Sequence, residues 1–102
     1  GNGTSSKIVY TDSNGDGTGT GAFQPRWLMT KRTDSSVTDW HIWDNIRNPS
    51  NPLTLLLIPN EAYADANYSA YPHNFLSNGF EVATNNATFN ALNGTYIYLA
   101  IA

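Results

Sequence analysis

Asn93-Gly94-Thr95-Tyr96-Ile97-Tyr98-Leu99-Ala100-Ile101 is the stretch that decides the fold class. Asn-Gly favours the positive backbone angles of a tight turn. The seven residues after it alternate, with Ile97, Leu99 and Ile101 on one face and Tyr96, Tyr98 and Ala100 on the other. Period two with β-branched and aromatic side chains is the pattern of a strand, since successive side chains point to opposite faces. A strand that is apolar on one face and aromatic on the other is expected to lie inside its sheet rather than at an edge.

The same grammar runs back through the chain. Lys7–Tyr10 is a short run suited to a strand, and Arg26–Arg32 follows Pro25, a residue tolerated at a strand's start. Trp27 and Met29 share one face there, Leu28 and Thr30 the other. In Trp40-His41-Ile42-Trp43-Asp44, Trp40 and Ile42 oppose His41 and Trp43. Leu53–Ile58 reads as a buried extended segment, and Phe75–Asn78 leads through a second Asn-Gly turn into Phe80–Thr84, with Phe80 and Val82 inward. Between these runs lie Gly-, Asn- and Pro-rich turns, and Glu61–Asn67 offers one helical turn at most. The expectation is an all-β chain: an antiparallel β-sandwich, jelly-roll-like, of about six to eight short strands with long Gly/Asn-rich loops.

Composition narrows the function classes. The chain has 102 residues, which suits one domain, residues 1–102, and both ends read as cut from a longer polypeptide. Charged residues are only 13%, while 13 Asn, 11 Thr, 8 Ser and 8 Gly supply a neutral, hydrogen-bonding exterior. A net charge of −3 with five scattered cations gives no basic stripe for nucleic acid. No run approaches the ~20 apolar residues of a membrane span, so no membrane insertion is expected. With no cysteine, disulfides and thiolate metal sites are excluded.

Asp12-Ser13-Asn14-Gly15-Asp16-Gly17 places oxygen side chains at positions 1, 3 and 5 and Gly at 6, as calcium loops of the EF-hand type begin. Position 12 is Phe23 and not the bidentate Glu, and the Thr11–Gly21 segment carries four Gly and reads first as a hairpin tip. Calcium on Asp12, Asn14 and Asp16 is therefore the one cofactor the sequence offers, against an expectation of none. His41 and His73 stand 32 positions apart, the first between tryptophans in a strand and the second in a polar loop, and neither predicts a metal site. No nucleophile elbow, phosphate loop or dinucleotide fingerprint is present, and the chain reads as a non-enzyme.

The aromatic surplus is the remaining clue. Trp27, Trp40 and Trp43 lie in strand segments, where core packing is expected of at least two. Tyr63, Tyr68 and Tyr71 fall in an irregular Asn/Ala/Ser segment, the kind of place where a β-scaffold carries recognition loops, and they are the candidate ligand-binding residues. Asp44, three residues before Arg47, reads as a loop-stiffening ion pair or Asx-turn. The four Asn-x-Ser/Thr strings, at Asn2, Asn67, Asn86 and Asn93, are no more than this composition supplies by chance.

Five ordered blocks carry a resemblance: Gly1-Asn-Gly-Thr4, Phe23-Gln-Pro-Arg-Trp-Leu-Met-Thr-Lys31, Trp40-His-Ile-Trp-Asp44 with Arg47, Phe75-Leu-Ser-Asn-Gly-Phe80 and Gly94–Ala102. Together they resemble an uncharacterised β-sandwich domain family recurring in virion and tail-associated structural proteins of tailed, often marine, bacteriophages. The resemblance implies a structural module on a tail fibre, spike or other appendage, exposed on the extracellular surface of the particle. Its implied partners are other virion subunits, including copies of itself, and a host-surface glycan. Two alternatives stand beside it: a capsid decoration or cementing domain, and a carbohydrate-binding module of a secreted protein.

Overall fold

The computed structural model describes all residues, 1–102. Eight short strands and one helical turn follow in chain order: β1 (Lys7–Tyr10), β2 (Trp27–Arg32), β3 (His41–Asp44), β4 (Leu55–Leu56), β5 (Ala66–Asn67), β6 (His73–Leu76), β7 (Gly79–Val82), α1 (Ala87–Asn90) and β8 (Tyr96–Ile101). The fold is all-β and sandwich-like. One sheet has the order β1-β7-β6, a second the order β3-β2-β8, and β4 pairs with β5, every pairing being antiparallel.

Alternation sets which face is buried. In β3 the inward residues are His41 and Trp43; in β7 Phe80 and Val82 turn in, and in β2 Leu28 is fully enclosed. With Leu53, Leu56, Phe75 and Phe89 these apolar side chains make one core. The Leu53–Leu57 segment stitches the two sheets along one flank. Leu53 exchanges both backbone bonds with His73 of β6, and Leu57 does the same with Ile42 of β3. The opposite flank has no such stitch, and there the edges β1 and β8 line a cleft of about 330 Å³.

Two turn residues matter for this arrangement. Asn93 holds a φ of 60°, which an Asn accepts at modest cost before β8. At Gly79 a Cβ would strike the Val9 carbonyl, so only glycine lets β1 lie against the start of β7.

Four expectations are corrected. β8 is an edge strand, paired with β2 alone, and Ile97, Leu99 and Ile101 remain about half exposed. His73 lies in β6 and is 1% exposed rather than in a polar loop, because the Leu53 ladder and the Trp43 ring enclose it. Only Trp43 among the three tryptophans is in the core; Trp27 and Trp40 are half-buried outside it. The 61–67 segment forms no helical turn, since Ala66–Asn67 pairs with Leu55–Leu56 as β5.

Candidate functional site

The tyrosine segment follows β5 across the outside of the sandwich. Backbone bonds from Tyr68 N–H to the Thr54 carbonyl (2.8 Å) and from Tyr71 N–H to the Tyr68 carbonyl (3.0 Å) fix it. The rings of Tyr68 and Tyr71 lie nearly parallel, 21° apart with centroids at 6.3 Å, and both rest half-buried against the core. Tyr71 also leans on Phe89 at 5.4 Å. Tyr63 is not part of this pair; it is 61% exposed and forms no aromatic contact.

Tyr68 and Tyr71 line a hollow of about 130 Å³ together with Leu56, Ile58, Phe89, His41, Asn86 and Thr88. Asn86, Thr88 and Phe89 come from the start of α1. Asn86 caps that turn, its side-chain oxygen accepting from the Thr88 N–H at 2.9 Å, so its amide is held in a fixed orientation. Burial lowers His41 from 6.5 to about 4, with Asp39 opposing the shift and Lys31 adding to it. At neutral pH the hollow is therefore lined by an uncharged imidazole with one donor and one acceptor. Aromatic faces beside amide, hydroxyl and neutral imidazole groups suit an uncharged ligand with both an apolar face and hydroxyls.

Sequence reading names Tyr68 and Tyr71 and misses the rest of the hollow. His41, Asn86, Thr88 and Phe89 come from two other parts of the chain. The capping signal at Asn86 ahead of Ala87–Asn90 is the one local cue available.

The Asp12 loop spends most of its polar groups on itself. One Asp12 carboxylate oxygen accepts from the Gly19 N–H (2.6 Å), while the other is enclosed without a partner. Asp16 accepts from both the N–H (2.9 Å) and the hydroxyl (2.6 Å) of Thr18, and the Asn14 amide reaches the same hydroxyl at 3.3 Å. Those bonds from Thr18 hold Asp16 below the usual carboxylate range. One carboxylate oxygen each of Asp12 and Asp16 is thus engaged by donors of the loop itself. A polar hollow of about 220 Å³ around Asn45, Asn48 and Asn51 is likewise largely committed to its own backbone. There Asn48 accepts from the N–H groups of Thr54 and Leu55, and Asn51 exchanges bonds with Phe75; the Asn45 side-chain oxygen alone lacks a partner.

Asp44 has the role its spacing implied. One of its carboxylate oxygens accepts from the N–H groups of Ile46 and Arg47, and the other pairs with the Arg47 guanidinium at 2.6 Å. His41 and His73, far apart in sequence, meet around Trp43 and Phe89: His73 stacks on Trp43 at 3.9 Å, and both imidazoles approach Phe89 edge-on. The four rings form one aromatic cluster.

Fold and hollow together define an all-β, sandwich-like domain with a small aromatic recess on one flank. The chain belongs to the family described as a domain of unknown function, DUF7483, whose model matches residues 3–102. Neither the comparison with curated proteins nor that with solved structures finds a match.

Proposed function

We propose that this domain is a non-enzymatic recognition module of a bacteriophage virion, carried on a tail fibre, spike or other appendage, and that it contacts a host-surface glycan through the Tyr68–Tyr71 hollow. The observation that carries the reading is the hollow itself, two near-parallel tyrosines lining it with the helix-capping Asn86, Thr88 and a neutral His41. Stacking on aromatic rings with hydrogen bonds at the rim suits a sugar ring, whose hydroxyls cost little to desolvate when each finds a partner. At about 130 Å³ the recess holds one sugar unit at most, and firm attachment then depends on many copies acting together. The virion setting is drawn from the resemblance of the five sequence blocks. Calcium plays no part in this reading.

Two experiments test it. Antibody against the domain, imaged on intact particles, is expected at the tail or a fibre; label spread over the head would sink the appendage reading. Glycan screening followed by calorimetry is expected to give heat that Tyr71→Ala abolishes and Tyr63→Ala leaves intact. Equal loss in both variants, or no glycan response at all, would overturn the assignment of the hollow. A second reading, a capsid decoration domain, draws on a different observation: the uncovered apolar edge at β8 suits contact with neighbouring subunits.

A further inference from the structure

No group that lines the Tyr68–Tyr71 hollow is charged at neutral pH. Its polar groups are the His41 imidazole, the Asn86 amide and the Thr88 hydroxyl, beside the two phenols, and none of the chain's five cations is among them. Lys31, whose charge reaches His41, donates its ammonium to the Thr38 carbonyl at 2.7 Å. Asp39, the other charge acting on His41, accepts from the Asn60 amide at 2.8 Å. A carboxylate or phosphate on the ligand would therefore give up water and gain no counter-charge, and an ammonium would do the same. The hollow suits a neutral ligand.

The tyrosines limit the shape of what enters. A layer inserted between two rings needs roughly 7–8 Å from ring to ring, one van der Waals contact on each side. The Tyr68 and Tyr71 centroids are 6.3 Å apart, so no sugar ring passes between them. A pyranose can lie only across the pair, and what enters the hollow is a substituent of that ring. There it meets Leu56 and Phe89, 3% and 7% exposed, and the half-buried Ile58. A hydroxyl set against these three would lose its water for nothing, whereas a methyl group is drawn to them.

The uncommitted polar groups define the rest of the substituent. The Asn86 side-chain oxygen is occupied by the Thr88 N–H at 2.9 Å, which leaves its NH2 free to donate. The neutral His41 ring offers one N–H and one bare nitrogen. A donor for a carbonyl, an acceptor for an N–H and an apolar lining for a methyl are together the complement of an acetamido group. A deoxyhexose would supply the methyl alone and leave Asn86 and His41 unmatched.

We propose that the hollow is an acetamido pocket, which takes the N-acetyl group of a neutral N-acetylhexosamine while the sugar ring rests on Tyr68 and Tyr71. The acetyl methyl lies against Leu56, Ile58 and Phe89, its carbonyl accepts from the Asn86 NH2, and its N–H donates to the bare nitrogen of His41. The inference rests on the glycan reading of this hollow and adds the chemical class of the sugar.

Titration of the isotope-labelled chain with millimolar methyl glycosides, followed by amide NMR, tests it. The probes are the methyl glycosides of N-acetylglucosamine, N-acetylgalactosamine, glucose, rhamnose and glucuronic acid. At least one of the two acetamido glycosides is expected to shift the Tyr68, Tyr71 and Ala87–Phe89 signals, with saturation transfer strongest at its acetyl methyl. The glucose and rhamnose glycosides are expected to bind at least ~10-fold more weakly, each lacking the amide's hydrogen bonds or its buried methyl, and the glucuronide not at all. Asn86→Asp keeps the cap and its bond from the Thr88 N–H but removes the NH2 donor. It is expected to weaken acetamido binding at least ~10-fold with the melting temperature unchanged. Equal binding of the glucoside at the same signals, a preference there for the rhamnoside or the glucuronide, or undiminished acetamido binding by Asn86→Asp would each overturn the acetamido pocket and leave the hollow a glycan site. Silence at these signals with every probe would overturn the glycan reading as well.

Discussion

Lowering the pH from neutral toward 4.5 is expected to destabilise this domain through its histidines. His73 is 1% exposed and stacked on Trp43. Burial lowers it from 6.5 to about 4; the Tyr71 backbone contact opposes the shift and His41 adds to it. Between about pH 6.5 and 4 the unfolded chain therefore takes up a proton that the folded chain refuses. Stability is full above pH 7 and falls as the solution becomes more acidic through that window. For His73 alone the loss by pH 4 is about 3 kcal/mol, a large share of the ~5–15 kcal/mol of a typical domain. His41, 5% exposed, acts with the same sign, Asp39 opposing its shift and Lys31 adding to it. Asp44 and Glu81 also have lowered values; their contribution is lost as the pH falls through and below their ordinary values of 3.8 and 4.5, so Glu81 begins to add to the loss at the acid end of the histidine window.

Urea unfolding at constant ionic strength reads this directly. With an m-value of about 1–1.5 kcal/mol/M, the midpoint is expected to fall by roughly 2 M between pH 7 and pH 4.5. The melting temperature is expected to fall by about 10–20 °C over the same range. His73→Phe keeps an aromatic ring against Trp43 but removes the titrating group, and is expected to flatten the profile. A native His73 whose NMR shift titrates near 6.5, or a urea midpoint flat down to pH 4.5, would refute the reasoning.

Two further substitutions test how the fold is held. Gly79→Ala drives a Cβ into the Val9 carbonyl and is expected to cost more than ~2 kcal/mol by separating β1 from β7, read as lost amide protection in Lys7–Tyr10. Asn90 is fully buried; its amide donates to Asn2, Thr4 and Thr84, and its oxygen accepts from the Asn2 N–H. Asn90→Ala strands those partners and is expected to cost about 2–3 kcal/mol in urea unfolding, with the first residues of the chain becoming protease-sensitive.

Where a strand shows alternation and turn residues at its ends, the sequence is enough. Phe80 and Val82 turn inward as their spacing requires, and Asp44 holds Arg47 as its position suggests. His73 is misread because Pro72 and Asn74 beside it look like loop, and its burial depends on Trp43, thirty residues away in the chain. A neutral imidazole packs as an aromatic once its charge is suppressed, and nothing local announces that. The hollow is half legible for the same reason. Tyr68 and Tyr71 stand out in composition, but the wall that makes a recess of them comes from residues 86–89, joined to them only by tertiary packing.

β8 shows a different kind of ambiguity. Apolar side chains on both faces imply that both faces are covered, and that inference places the strand inside its sheet. In the single chain it has one neighbour, with Ile97, Leu99 and Ile101 each half exposed. The physical demand that water be excluded from such a strand says nothing about which polypeptide excludes it. A sheet position and a subunit interface leave the same alternation in the sequence, because cross-strand packing is equally favourable in either setting. What separates them is the direction of the free peptide groups, which requires the ladder to β2. Alternation reports which side chains share a face; only the backbone ladders, here one to β2, report how many neighbours the strand has.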